Sequence, residues 1–313
     1  MDSFLISVVI PMYYEQEVAT ACYQRLTEVL RGKYRYELIF VNDGSKDNTL
    51  PILRDIATED RCVRVISFAR NFGHQYAVTA GVDASRGDAV VVIDADLQDP
   101  PELIPDMIAL WQQGSDVVYA KRKARKGESV FKRFTASMFY RVLRGVTDTD
   151  IPADTGDFRL MDRKVVKALA RMPEHNRFLR GMVAWLGFKQ TPIEYVRDER
   201  LAGVTKYPLK KMMKFAGDGI LSFSTKPLRW VANLGLVSVL VAIGIAIYAF
   251  INLIIGNTQP GWVSTILTIT FFGGVQLLSL GVVGAYVGRI YEEVRQRPLY
   301  IEAERINFDV QEE

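Results

Sequence analysis

The stretch Val90-Val91-Val92-Ile93-Asp94-Ala95-Asp96-Leu97-Gln98-Asp99-Pro100-Pro101 decides the fold. Its apolar start has the uninterrupted character of a central strand covered on both faces. Asp94 and Asp96 stand where that strand should end. Pro100 and Pro101 cannot continue a sheet ladder, so the chain must turn just past Asp96 and expose both acids at the strand's carboxyl edge. Ligands of open α/β sheets bind at that edge. An Asp-x-Asp leaving a strand brings two hard oxygen donors close enough to share Mg²⁺ or Mn²⁺, or to divide the ion with a ligand's diphosphate. Gln98 adds a neutral oxygen. An isolated Asp-x-Asp is more often a pair of solvated turn acids. The strand before this one and the Gln-Asp-Pro-Pro after it shift the reading toward a metal site.

Outward from this segment the pattern alternates. Strands are expected over 5–10, 36–41, 63–68 and 116–120, and helices over 17–30, 49–58, 75–84 and 101–112. That alternation argues an α/β fold with a mostly parallel sheet. Asn42-Asp43-Gly44-Ser45 again puts an acid at a strand end, with Gly44 permitting the tight turn and Asp47 capping the next helix. Asp162 reads as the N-cap of a helix over 164–170, which leaves Asp157 in the loop before it, and 189–197 reads as a return strand. No Gly-x-Gly-x-x-Gly and no P-loop pattern stands at any strand-to-helix turn. A nucleotide diphosphate would therefore be held by metal and side chains. The run 121–128 is rich in Lys and Arg, and 129–143 and 208–223 read as basic amphipathic helices suited to a membrane interface.

Composition bounds the remainder. The chain of 313 residues has room for one large domain and an appendage. Its 49% hydrophobic content is uneven: 231–255 and 266–290 are almost free of charge. Each run is long enough for the ~20 apolar residues of a membrane crossing, and two in tandem argue against buried core helices. Lys226 and Arg229 precede the first run, Arg289, Arg295 and Arg297 lie at or beyond the end of the second, and the short loop between them has no charge. By the positive-inside rule both ends face the cytoplasm. Gly281, Gly284, Ala285 and Gly288 supply small-xxx-small spacing, which permits close contact within the hairpin or between subunits of a homo-oligomer. A net charge of +3 is too mild to suggest nucleic acid, and two histidines exclude a histidine-rich zinc site. Cys22 and Cys62 are expected as buried thiols. The amino terminus lacks a basic n-region, so no signal peptide is expected.

Val92 to Glu102, Val-Ile-Asp-Ala-Asp-Leu-Gln-Asp-Pro-Pro-Glu, resembles the Asp-x-Asp signature of family 2 glycosyltransferases. It is similar in particular to the branch that moves a sugar from a nucleotide onto a polyprenyl phosphate, such as dolichyl-phosphate mannose synthases and bacterial undecaprenyl-phosphate glucosyltransferases. The resemblance implies a GT-A, Rossmann-like domain over 1–207 with helices on both faces of the sheet. Juxtamembrane amphipathic helices over 208–229, two transmembrane helices within 230–290 and a cytoplasmic tail over 291–313 complete the expected organisation. It also implies roles. Pro11, Tyr13 and Glu15 match a Pro-x-Tyr-Asn-Glu pattern at the donor, with Tyr14 standing where Asn is usual. Asp43 would read the base. Asp94, Asp96 and Gln98 would hold the ion, with Asp94 and Asp96 also counted as catalytic and Asp94 as a donor contact. Arg122, Lys132 and Arg133 would hold the acceptor phosphate. Gly-Asp-Phe-Arg-Leu makes Asp157 the catalytic candidate near the acceptor, and Arg177, Phe178 and Arg180 begin the helix below the donor sugar. Gly203-Val204-Thr205-Lys206-Tyr207 is similar to Gly-x-Ser-Lys-Tyr and brings Lys206, with Arg200, to the diphosphate.

The expected activity is inverting transfer of a hexose, with UDP-glucose the favoured donor, to a polyprenyl phosphate at the cytoplasmic membrane face. A phosphate monoester with a second pKa of about 6 is already ionised at neutral pH and needs little help from a base. Asp157 is therefore expected to orient the sugar or a phosphate-binding Arg. Two other readings stay open: transfer to another lipid such as diacylglycerol, whose hydroxyl would require a true base, and a membrane-anchored scaffold that binds nucleotide sugars without turnover.

Overall fold

The structure, a computed structural model, describes residues 4–122, 155–195, 226–255 and 261–308. Strands β1 (Leu5–Met12), β2 (Arg35–Asn42), β3 (Val63–Phe68) and β4 (Ala89–Val92) lie parallel. Strand β5 (Val117–Arg122) pairs parallel with β7 (Gln190–Tyr195), and β6 (Thr155–Asp162) runs antiparallel between β4 and β5. With β8 (Glu302–Ile306) they form one eight-stranded sheet in the order β7-β5-β6-β4-β1-β2-β3-β8.

The side-chain period of 2 sorts each central strand between two cores. Val8, Ile10, Leu38 and Phe40 pack with Cys22 and Leu26 of α1 (Ala19–Leu30), Leu53 of α2 (Thr49–Glu59) and Met107 of α4 (Ile104–Gln112). Val9, Ile39 and Val41 pack on the other face with Val78 of α3 (His74–Ala84), Val166 of α5 (Arg163–Leu169) and Met182 of α6 (Leu179–Trp185). Strands buried on both faces must be apolar throughout, hence the unbroken runs in the sequence. The alternation of strand and helix is thus realised as a mostly parallel sheet with helices on both faces.

Three expectations change. Residues 155–162 are a strand and not a loop: Phe158 and Leu160 enter the first core while Met161 enters the second. Part of the expected tail also joins the sheet, since Val65 to Phe68 pair antiparallel with Ile306 to Glu302. Asn307 Nδ2 then donates to the Val63 carbonyl at 2.7 Å, and the Arg64 guanidinium lies 4.4 Å from the centre of the Phe308 ring. Glu-Ala-Glu-Arg-Ile is a short charged edge strand, which has no apolar run to announce it. Cys22 is buried as expected, but Cys62 is exposed, in the turn where its N–H donates to Asp60. Asp162 does cap α5, accepting from Lys164 N at 2.8 Å, and Asp47 accepts from Thr49 N at 3.1 Å at the start of α2.

Helices α7 (Lys226–Ile255) and α8 (Trp262–Val294) are long and apolar enough to cross a membrane, and none of the apolar window of either is buried inside the protein. Leu236, Leu240, Leu277 and Leu278 are among their exposed side chains. A core helix would bury such a face. A Cβ added at Gly281, Gly284 or Gly288 would meet nothing within 4 Å, so the described hairpin does not use its small-residue stripe for close packing. The two expected amphipathic helices lie outside the described residues.

Candidate active site

The pairing of β4 with β6 builds the site. Val92 stands opposite Arg159, and the same register carried two residues further sets Asp94 opposite Asp157. Asp157 is buried; its Oδ1 accepts from Arg180 Nε at 2.8 Å and its Oδ2 lies 3.0 Å from His74 Nε2. The same His74 nitrogen is 3.7 Å from Asp94 Oδ1. One imidazole nitrogen is thus hydrogen-bonded to Asp157 and within ion-pair distance of Asp94, two carboxylates carried by neighbouring strands.

His74 is the first residue of α3, and the loop before it is fixed from β2. Asp43 Oδ1 accepts from Phe72 N at 2.7 Å, and its Oδ2 accepts from Gly73 N at 3.0 Å and Asn71 Nδ2 at 2.9 Å. Gly44 allows the two loops to touch: it has φ +64°, and a Cβ there would lie 2.3 Å from the Arg70 carbonyl carbon. Arg180 comes from the first turn of α6, which packs on the same face of the sheet as α3.

Charge is unevenly balanced in this cluster. Burial pushes His74 down, but its hydrogen bond to Asp157 and the charges of Asp94 and Asp157 more than reverse this and raise it to about 9. Asp157 resists burial because Arg180 and His74 hold it well below the usual carboxylate range. Asp94 is pushed up to about 6, first by burial, against the pull of His74, with Asp157, Asp99 and Asp96 adding repulsion. Buried Arg159 is lowered to about 10 by desolvation, against the charge of Asp157.

Among the described residues, His74, Asp94 and Asp157 are the one group of His, Cys or acidic side chains whose ligand atoms all lie within 4.8 Å of one another. Of the expected ligands Asp94, Asp96 and Gln98, Asp94 lies in this group. Gln98 is buried, and its N–H donates to Asp96 Oδ1 at 3.2 Å. A hard divalent ion fits the locality, because burial first and the neighbouring carboxylates second raise Asp94, and a bound cation would favour its ionised form. A protonated His74 has no lone pair on Nε2 and acts as a cation beside the acids until it loses that proton.

Other expected positions fall as follows. Pro11 is buried within β1, whereas Tyr13 and Tyr14 are exposed just beyond it, their ring centres 4.6 Å apart. Tyr14 has φ 55°, a left-handed conformation that Asn tolerates better than Tyr. Glu15 is half-buried and its N–H donates to Thr49 Oγ1 at 3.0 Å. Asp43 is engaged with the 71–73 loop and positions it. Leu97, buried between Asp96 and Gln98, also has φ 55°, backbone strain of the kind that clusters at functional sites. Arg122 closes β5 opposite Tyr195. Lys132, Arg133, Arg200 and Lys206 lie outside the described residues. His74 is the site residue that the sequence alone did not bring forward. The signal available was its place after Gly73, at the start of a helix on the sheet's carboxyl edge.

The model of glycosyl transferase family 2 matches residues 7–170. A Bacillus subtilis protein named uncharacterized glycosyltransferase YkcC is 56% identical over 297 residues, spanning 94% of this chain and 92% of that protein. The SfII prophage-derived bactoprenol glucosyl transferase of Shigella flexneri is 43% identical over 298 residues, spanning 95% and 96%. Among solved structures, glucosyl-3-phosphoglycerate synthase from Mycobacterium tuberculosis aligns with a TM-score of 0.47 at 21% identity, covering 70% of this chain and 78% of that one. The chain belongs to glycosyl transferase family 2. Relatives that match it over nearly their whole length include enzymes named bactoprenol glucosyl transferases.

Proposed function

We propose that this glycosyltransferase moves a hexose, with UDP-glucose the favoured donor, onto a polyprenyl phosphate at the cytoplasmic face of the membrane, with inversion. The carrying observation is the meeting of Asp94, Asp157, His74 and Arg180 at one sheet edge, in a chain that also has two exposed apolar helices of membrane-crossing length. Full-length similarity to bactoprenol glucosyl transferases supports the lipid acceptor.

In this reading Tyr13 and Glu15 line the donor beyond β1, and Asp43 holds the loop beneath it. Asp94 and Asp96, with His74 or Gln98 nearby, would hold Mg²⁺ or Mn²⁺. When bound, such an ion stabilises charge on the departing diphosphate. Arg180 presents its guanidinium beside the reacting groups, fixed by Asp157 through one nitrogen. A carboxylate held this far toward ionisation is a poor proton acceptor, so Asp157 orients Arg180 and the sugar and leaves the proton question to the acceptor. A polyprenyl phosphate needs no stronger base, whereas diacylglycerol would. Arg122, Lys132 and Arg133 are the proposed contacts of the acceptor phosphate, and Arg200 and Lys206 those of the donor diphosphate.

The test is purified full-length protein with radiolabelled UDP-glucose, Mg²⁺, and either undecaprenyl phosphate or diacylglycerol in mixed micelles. Label should enter the polyprenyl phosphate, and chelation should stop it. Label in diacylglycerol alone contradicts the acceptor assignment, and nucleotide binding without transfer to either lipid contradicts catalysis.

A further inference from the structure

The loop between α5 and α6 is held from two sides. The His175 N–H donates to both carboxylate oxygens of Glu293, at 2.9 and 3.1 Å, and Asn176 Nδ2 donates to Glu292 Oε2 at 3.1 Å. Both acids lie in the last turn of α8, where the second apolar helix leaves its membrane-length segment. On the other side, the His175 carbonyl accepts from Tyr76 Oη at 2.9 Å. Gln75 Oε1 accepts from Leu179 N at 3.1 Å.

These contacts converge on the active site. His74, Gln75 and Tyr76 are consecutive on the first turn of α3; the first reaches Asp157, the second the N–H of Leu179, and the third the His175 carbonyl. Arg180, directly after Leu179, grips Asp157. The Arg177 N–H also donates to the His175 carbonyl, at 3.0 Å, so that turn is closed locally, and the carboxylate that takes the His175 N–H fixes where it stands against α8.

We infer that Glu293 is a positioning residue for transfer: the exit helix of the apolar hairpin holds residues 175–180 in the placement that sets Arg180 on Asp157. The hairpin is then part of the catalytic assembly as well as an anchor. The inference rests on the proposed role of Asp157 and Arg180, and it concerns how that role is maintained. A carboxylate is not required for the hydrogen bond itself, since an amide oxygen also accepts. This separates Glu293→Gln from Glu293→Ala.

Full-length variants in detergent micelles test it by two readouts. Glu293→Ala should lower the transfer kcat roughly 10–100-fold, the range found when a group supporting an active-site residue is removed. KM for the sugar nucleotide should stay within about twofold, the signature of a defect in chemistry and not in uniform binding. Glu293→Gln should recover most of the rate. Tyr76→Phe combined with Glu293→Ala should cost less than the product of the two single losses, because both act on His175. Hydrogen exchange gives the second readout without turnover: amides of 175–180 should lose protection in Glu293→Ala and keep it in Glu293→Gln. Unchanged exchange in Glu293→Ala, or an active wild type whose kcat Glu293→Ala leaves intact, overturns the inference. A wild type that transfers nothing overturns the functional reading, and the exchange result then decides the positional claim alone.

Discussion

The two edges of the sheet carry charge in opposite styles. At the amino edge Glu37 accepts from Ser7 Oγ at 2.5 Å, Arg86 N at 2.7 Å and Arg64 Nη1 at 2.9 Å, and Ser7 Oγ in turn accepts from Gly87 N at 2.8 Å. One buried acid meets one buried base, and each oxygen has a partner. At the carboxyl edge Asp94 and Asp157 share His74, and burial, with the charges of Asp157, Asp99 and Asp96 added, raises Asp94. The first network is saturated and serves the fold. The second crowds several acids around one imidazole and one guanidinium, as expected where a fold reserves stability for chemistry.

Substitutions should separate the two edges. Asp94→Asn should lower glycosyl transfer by roughly 10³-fold, about 4 kcal/mol in the barrier. It should leave Tm equal or higher, because a repelled acid has gone; steady-state transfer and a thermal melt of the same preparation check both. At the other edge, Glu37→Ala strands a buried guanidinium and should destabilise the domain by roughly 3 kcal/mol, the cost of breaking a buried pair from one side. Chemical denaturation reads that loss, while the kcat of the remaining folded fraction should hold. Gly44→Ala lies between the two in character. It should cost about 2 kcal/mol through its positive φ and its clash with the Arg70 backbone, and should also raise KM for the donor by loosening the loop that Asp43 holds.

A pH dependence in metal-free protein probes the carboxyl edge alone. The folded pKa of His74 is raised to about 9 from 6.5, so its contribution to stability is complete below about pH 6.5 and is lost as pH rises through about 9. Wild type should therefore lose stability across that window, and His74→Gln should lose less. Equal slopes in paired melts from pH 6 to 10 would show that His74 is not the cation the carboxyl edge depends on.

Much of this was legible in residue patterns. The strand over 63–68 matches its observed bounds, and the other parallel strands and helices of the first 122 residues fall within a few residues of expectation, because double-faced burial forces apolar runs. Strand β6 was obscured by Asp157 and Arg159: buried charges at strand positions imitate a polar loop, although Phe158, Leu160 and the residues between them keep the period of 2. Strand β8 was hidden by Glu302, Glu304 and Arg305, which suit a sheet edge and resemble a tail. The acids of the site were visible at strand ends. Their grouping was not, since the register that sets Asp94 against Asp157 and the loop that delivers His74 depend on pairings between distant segments.

The most direct test of the carboxyl-edge assignment is transfer from radiolabelled UDP-glucose to undecaprenyl phosphate by the full-length protein, measured from pH 5 to 9 for wild type and Asp157→Asn. An ionised, orienting Asp157 predicts a labelled lipid product from wild type with Mg²⁺. It also predicts a large, nearly pH-independent loss in the variant. A variant as active as wild type, or a deficit that follows a single ionisation as a missing general base would, contradicts the account.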